Sequence, residues 1–135
     1  MTAYLLDTTA LIDFSKRREP AYSQINAWID GGDTLAACAI TVAEFYSGLS
    51  AEEARDWEEL VTALAYWPID PYAAMRAGQD RYRFARQGVA ITIVDALLAA
   101  LARERNAVLV TGNVKDYPMA DLDLFPLTNV PPNIP

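Results

Sequence analysis

Short apolar runs and amphipathic stretches take turns along this chain, and that alternation limits the folds open to it. Residues 3–7, 34–40 and 107–111 have the composition of buried strands, residues 67–69 look like a short third strand, and residues 124–127 suggest an edge strand. Helical patterns fill the gaps. Thr8 or Thr9 can cap a first helix that carries Leu11, Ile12 and Phe14 on its apolar face, and Lys16, Arg17 and Arg18 close it. Further helices are expected over 20–29, 41–49, 50–66, 70–87 and 92–105. Gly31-Gly32, Gly88 and Asn106 are the stops. Asp70-Pro71 offers an N-cap followed by proline at the first helical position. Strands alternating with helices predict an α/β fold: a mainly parallel central sheet flanked by helices on both faces. The 135 residues suit one domain over 1–135, with 129–135 as an irregular, proline-rich tail.

In such a sheet, ligands bind beyond the carboxyl ends of the strands. Four acids fall there. Asp7 ends the first strand, Glu44 lies about one helical turn past the second, Asp95 is in the first turn of its helix, and Asp116 follows the strand at 107–111 by a short loop. Each acid also has a structural explanation. Thr41-Val-Ala-Glu44 and Thr92-Ile-Val-Asp95 match a capping pattern, Asn113-Val-Lys-Asp116 resembles it, and Asp7 can cap the helix beginning at Thr8. The surroundings weigh against caps alone. Leu5-Leu6-Asp7 and Ile93-Val94-Asp95-Ala96-Leu97 put carboxylates inside apolar runs with no basic residue beside them, and a buried charge is costly unless paired or metal-bound. Two like charges about 4 Å apart repel by roughly 4 kcal/mol at an effective dielectric of about 20. A gathering of four therefore calls for bound protons or a hard dication, and the dication leads to metal-assisted chemistry on phosphates. Thr111 and Asn113 end the strand before Asp116. They either steady the carboxylates by hydrogen bonds or form an ordinary polar turn, and Thr8 has the same two readings.

Composition removes other chemistries. The absence of histidine excludes serine and cysteine triads and the usual zinc ligands. Cys38, the single cysteine, sits in an apolar run and is expected to be a packed core thiol. No apolar run approaches the ~20 residues of a membrane span. Asp7 interrupts the first run and no basic segment precedes it, so the N-terminus does not resemble a signal peptide and the expected location is the cytoplasm. The net charge of −7 argues against nucleic acid at first sight. Net charge is an average, however, and a bound cation would offset an acidic cluster. Arg76, Arg81, Arg83 and Arg86 share a helix with Tyr82 and Phe84, which fits either a phosphate-tracking surface or a solvated face. Arg81 and Arg83 cannot share a face. Lys16-Arg17-Arg18 is a second candidate for backbone contact. Trp28, Trp57, Trp67 and the tyrosines are expected to be core or interface residues instead of base-stacking groups, with Tyr46, close to Glu44, left open.

The segments Leu-Leu-Asp7-Thr-Thr, Thr-Val-Ala-Glu44-Phe-Tyr-Ser-Gly48, Asp95-Ala-Leu-Leu-Ala and Val-Thr111-Gly-Asn113-Val-Lys-Asp116-Tyr, in this order, resemble a PIN-domain ribonuclease, most closely the VapC toxins of toxin–antitoxin pairs. The resemblance runs through essentially the whole chain. It implies a single PIN-like domain with endoribonuclease activity dependent on Mg²⁺ or Mn²⁺. Asp7, Glu44, Asp95 and Asp116 fall on the family's four acidic positions, and Thr111 and Asn113 on its Thr-x-Asn segment. On this reading Asp7 and Asp95 are the direct metal ligands, and Glu44 and Asp116 complete the site. It further implies a homodimer, RNA as substrate, a small cognate antitoxin that often places a basic side chain in the acidic pocket, and contact with promoter DNA only through the antitoxin complex. Tyr117 stands where the family more often has Phe, a difference expected to concern packing and not chemistry. Two rivals belong to other classes. One is a Mg²⁺-binding signalling domain, disfavoured because Asp70-Pro71 at the third strand's end reads as a helix start. The other is a non-catalytic interaction module. A phosphatase of the Asp-x-Asp type is disfavoured because Asp7-Thr8-Thr9 lacks the second Asp.

Overall fold

In the computed structural model, which describes residues 1–127, the apolar runs become five parallel strands in one sheet. They are β1 (Ala3–Leu6), β2 (Thr34–Ala37), β3 (Ala65–Tyr66), β4 (Val108–Thr111) and β5 (Leu124–Pro126), in spatial order β3-β2-β1-β4-β5. The expected tail at 129–135 lies outside the described residues. Six helices cross over between strands: α1 (Thr8–Ser15), α2 (Ala21–Asp30), α3 (Ala39–Ser47), α4 (Ala51–Ala63), α5 (Pro71–Arg86) and α6 (Ile93–Glu104). No helix among the described residues is long and apolar enough to cross a membrane.

The period-2 alternation of the strands sorts their side chains between two cores. Leu5, Ala36 and Leu109 face α5 and α6. Leu6, Leu35 and Val110 face the other way, onto Ala10, Leu11, Phe14, Ile25 and Phe45 of α1, α2 and α3. Helices therefore cover both faces, and β1 lies in the middle of the sheet between β2 and β4. Cys38 is fully buried, as expected for a core thiol. The tryptophans are packing groups too: Trp28 stacks on Tyr4 with ring centroids 3.8 Å apart, and Trp57 meets Phe14 and Phe45 edge-on. Tyr46, half-buried, packs edge-on against Phe45.

Several boundaries depart from the sequence expectation. The third strand is Ala65–Tyr66, paired with Ala36 and Ala37, instead of 67–69. Trp67 donates one more bond, to the Ala37 carbonyl, and Pro68 has no N–H with which to continue the ladder. Helix α3 begins at Ala39, with extended Cys38 as its N-cap. Thr41 is therefore inside the first turn, its hydroxyl bonded to the Cys38 backbone, and Glu44 belongs to the second turn instead of closing a capping box. The N-cap of α1 is Asp7 itself, not Thr8 or Thr9. The capping box at Ser50 and Glu53, the Asp70 cap and the Thr92 cap are as expected.

Candidate active site

Asp7 sits where β1 stops and α1 starts, at the carboxyl edge of the sheet. It is 4% exposed. Its backbone N–H still belongs to the sheet and donates to the Val110 carbonyl. Its Oδ1 accepts from the Ala10 N–H at 2.9 Å and from the Thr9 hydroxyl at 2.6 Å. The Thr9 hydroxyl in turn accepts from the Gly112 N–H at 2.8 Å. Thr111, fully buried at the end of β4, also reaches the Asp7 carboxyl through its hydroxyl, which accepts from the Asn113 N–H at 2.9 Å. Two hydroxyls thus link one carboxylate to the turn after β4. The approach at Gly112 is close: a Cβ there would stand 3.3 Å from the Thr9 oxygen, which would have to give way by a few tenths of an ångström.

The other acids arrive from the neighbouring elements. Asp95, half-buried in the first turn of α6, is anchored by its N–H donating to the Thr92 hydroxyl at 3.1 Å. Asp116 is half-buried at the end of a 3₁₀ turn, Val114–Asp116, close enough to act on Asp95 electrostatically. Glu44, exposed on α3, also acts on Asp95 and accepts a 2.6 Å bond from the Thr8 hydroxyl. The exposed Asn113 contributes a backbone bond and no side-chain cap to this turn. All four acids therefore share one edge. They do not close into a dry cage: among the described residues no three carboxylates form a ready-made metal cluster.

Burial holds the Asp7 carboxyl above the ordinary aspartate value, and hydrogen bonds from Thr111, Thr9, Ala10 and Tyr117 only partly offset it. Asp95 is raised as well, first by burial and then by the charges of Asp116 and Glu44, while bonds from Thr92 and Tyr117 oppose. Among the described residues none of the four acids is in an ion pair. The contrast with Asp80 is direct. That carboxylate is completely buried on α5, yet it is bracketed by Arg83 and by Arg103, whose side chain is 6% exposed.

This donor set fits a divalent cation with hard-oxygen preference. It offers carboxylate oxygens without thiolate or imidazole, and Mg²⁺ keeps several waters and typically takes one or two protein carboxylates. An open edge with Asp7 and Asp95 partly desolvated and lacking a cation matches that demand. Sequence reasoning missed two participants. Thr9 gives no signal in the sequence, because it is an ordinary threonine in a first helical turn. Tyr117 reads in the sequence as a packing residue, yet its buried hydroxyl donates to Asp7 Oδ2 at 3.3 Å. The basic candidates stand away from this edge or are engaged elsewhere. Lys16 and its neighbours follow the far end of α1, about 12 Å along the helix from Asp7. Arg76 pairs with Asp121 at 2.6 Å, Arg83 with Asp80, and Arg86 stacks on Tyr82.

Comparison with known proteins places the geometry in context. The profile of the family described as PIN domain matches residues 4–118. Ribonuclease VapC19 of Mycobacterium tuberculosis is 33% identical over 118 residues, spanning 85% of this chain and 92% of that protein. Among solved structures, VapBC2 from Rickettsia felis bound to a DNA fragment from its promoter superposes with a TM-score of 0.79 at 22% identity, over 94% of this chain and all of that one. A toxin–antitoxin complex from Klebsiella pneumoniae gives 0.74 at 22% identity, over 93% and 98%. At these identities the structural matches establish a shared fold.

Proposed function

This chain belongs to the PIN-domain family, and from that premise we propose that it is a metal-dependent endoribonuclease, the toxin of a toxin–antitoxin pair, working as a single catalytic domain. The observation that carries the assignment is Asp7: a carboxylate 4% exposed, fixed by four hydrogen-bond donors and in no ion pair among the described residues, with Asp95, Glu44 and Asp116 on the same edge.

Asp7 and Asp95 would hold Mg²⁺ or Mn²⁺, because burial withdraws both from water and they lie beside the same tyrosine. Glu44 and Asp116, closer to solvent, complete the site directly or through water. When bound, the ion supplies a lowered pKa for the attacking water and neutralises charge that builds on the scissile phosphate. Without histidine, a carboxylate would have to accept a proton from the attacking water, and Glu44 and Asp116 are the exposed and half-exposed candidates. Thr9 and Thr111 hold Asp7 in place, and Asn113 shapes the turn that presents Thr111.

The acidic edge also suits a partner that brings a basic side chain to it, which is the chemistry by which an antitoxin would silence the enzyme. The toxin is expected to dimerise and to reach promoter DNA only through that antitoxin. The deciding experiment incubates purified, partner-free protein with a mixed RNA pool in Mg²⁺ or Mn²⁺, in EDTA, and beside Asp7→Asn. Cleavage abolished in both controls is the expected result. Cleavage that survives EDTA or the substitution would overturn the assignment.

A further inference from the structure

Tyr117 is the one buried hydroxyl-bearing aromatic at the acidic edge, and a phenylalanine would fill the same core position. The residue is 4% exposed and belongs to the core on the α5–α6 side of the sheet. The hydroxyl is therefore what distinguishes this side chain, and it lies in an apolar wall where an unsatisfied O–H is disfavoured. It donates to Asp7 Oδ2 at 3.3 Å and is within hydrogen-bonding reach of Asp95. Asp7 Oδ1 is already engaged by Thr9 and Ala10. Oδ2 accepts from Tyr117, so this hydroxyl is one of the donors, with Thr111, that set how the carboxyl faces the edge. Asp7 comes from the end of β1 and Asp95 from the start of α6, so no covalent segment fixes their separation. The hydroxyl bonds the first and acts on the second.

We propose that Tyr117 is a positioning residue of this site: its hydroxyl, held between Asp7 and Asp95, presets the two carboxylates as a divalent-cation ligand pair. The inference rests on the metal-site reading above and extends it to a residue outside the acidic set. Hydrogen-bond partners of metal ligands commonly contribute 10–100-fold in affinity, and this hydroxyl bonds one ligand and lies beside the other. Burial and the neighbouring carboxylates push the phenol further from ionising, so it stays a donor across the working pH range.

The test titrates Mn²⁺ into purified, partner-free wild type, Tyr117→Phe and Asp7→Asn by calorimetry, with thermal melts of each metal-free protein. Tyr117→Phe is expected to keep the fold and to weaken Mn²⁺ binding by about tenfold. In RNA cleavage the Mn²⁺ concentration for half-maximal rate should rise by the same factor, and kcat at saturating Mn²⁺ should return to near wild type. A purely packing role would leave both metal readouts unmoved. If Asp7→Asn loses Mn²⁺ binding while Tyr117→Phe binds within twofold of wild type, the positioning role is overturned and the metal site stands. If wild type does not bind Mn²⁺, or Asp7→Asn binds as well as wild type, the metal-site reading falls and takes this inference with it.

Discussion

At the scale of the residue, Asp7 serves both stability and function. As the N-cap of α1 it satisfies an orphan N–H of the helix, and as a buried carboxylate without a cation it costs free energy. Its folded-state pKa lies above the unfolded value, so the folded protein binds this proton more tightly. That contribution to stability is complete below the unfolded pKa and disappears as pH rises through the folded one. Asp95 acts in the same direction, and Asp116, Glu44 and Tyr117 are the titratable groups facing the pair. Metal-free wild type should therefore lose stability as pH climbs above the ordinary carboxylate range. Asp7→Asn keeps the cap and escapes the penalty. It should melt higher at neutral pH by on the order of 1 kcal/mol, a few degrees in Tm, with the gap closing at acid pH. Calorimetric melts across pH check this, and a gap that stays constant would show that desolvation is not the cause. Thr9 is subtler. Thr9→Val removes a donor to Asp7 and the acceptor of the Gly112 N–H, at about 1–2 kcal/mol and with weaker metal binding. Thr9→Ser keeps the hydroxyl and should restore both.

At the scale of the element, the α5–α6 pair carries the ion network that the acidic edge lacks. Asp80 falls on the same stripe as Ala73, Ala77 and Phe84, spaced at four, three and four residues, so helical periodicity alone marks it as inward-facing. Arg103 from α6 meets it and also reaches Asp121 at 3.0 Å in the segment before β5. Arg103→Met leaves a buried carboxylate with only the exposed Arg83 as partner, and should cost about 3 kcal/mol in urea unfolding. Asp80→Leu combined with Arg103→Met should recover most of that loss, because a buried pair replaced by apolar groups is often neutral. Metal binding at the far end of α6, about 12 Å away, should not change in the double variant. The basic helix is thus largely a structural device: Arg76 and Arg83 bond to acids, and Arg81 donates to the Ile91 carbonyl at 2.9 Å.

At the scale of the molecule, 18 acidic against 11 basic residues give a net charge of −7, and several of the arginines are engaged in ion pairs. A protein that neutralised many phosphates with free cations would lose RNA affinity steeply with salt, with a slope near −0.7 per contact for single strands. Here the slope should be shallow, because the acidic balance and the ion pairs leave few cations grouped to track a backbone. Filter binding of RNA to a cleavage-defective variant between low and moderate salt measures this. A steep slope would point to a basic surface that forms only in a larger assembly.

The sequence by itself determined the alternation of elements, the two-sided core and which end of the sheet would carry the acids. Those properties rest on local periodicity and on the helical crossovers that parallel strand neighbours require. It also marked Asp7, Glu44, Asp95 and Asp116, because a carboxylate within or beside an apolar run needs an explanation. Only the tertiary structure decided how these acids differ. Asp7 is buried and fixed at Oδ1, Asp95 is half-buried, and Glu44 is exposed on the second turn of a helix that starts earlier than its threonine suggests. Tertiary structure also revealed Thr9 and Tyr117. Their hydroxyls matter because β1, β4 and α6 converge at one point, and no spacing within a single segment encodes where a side chain from one element meets a carboxylate from another.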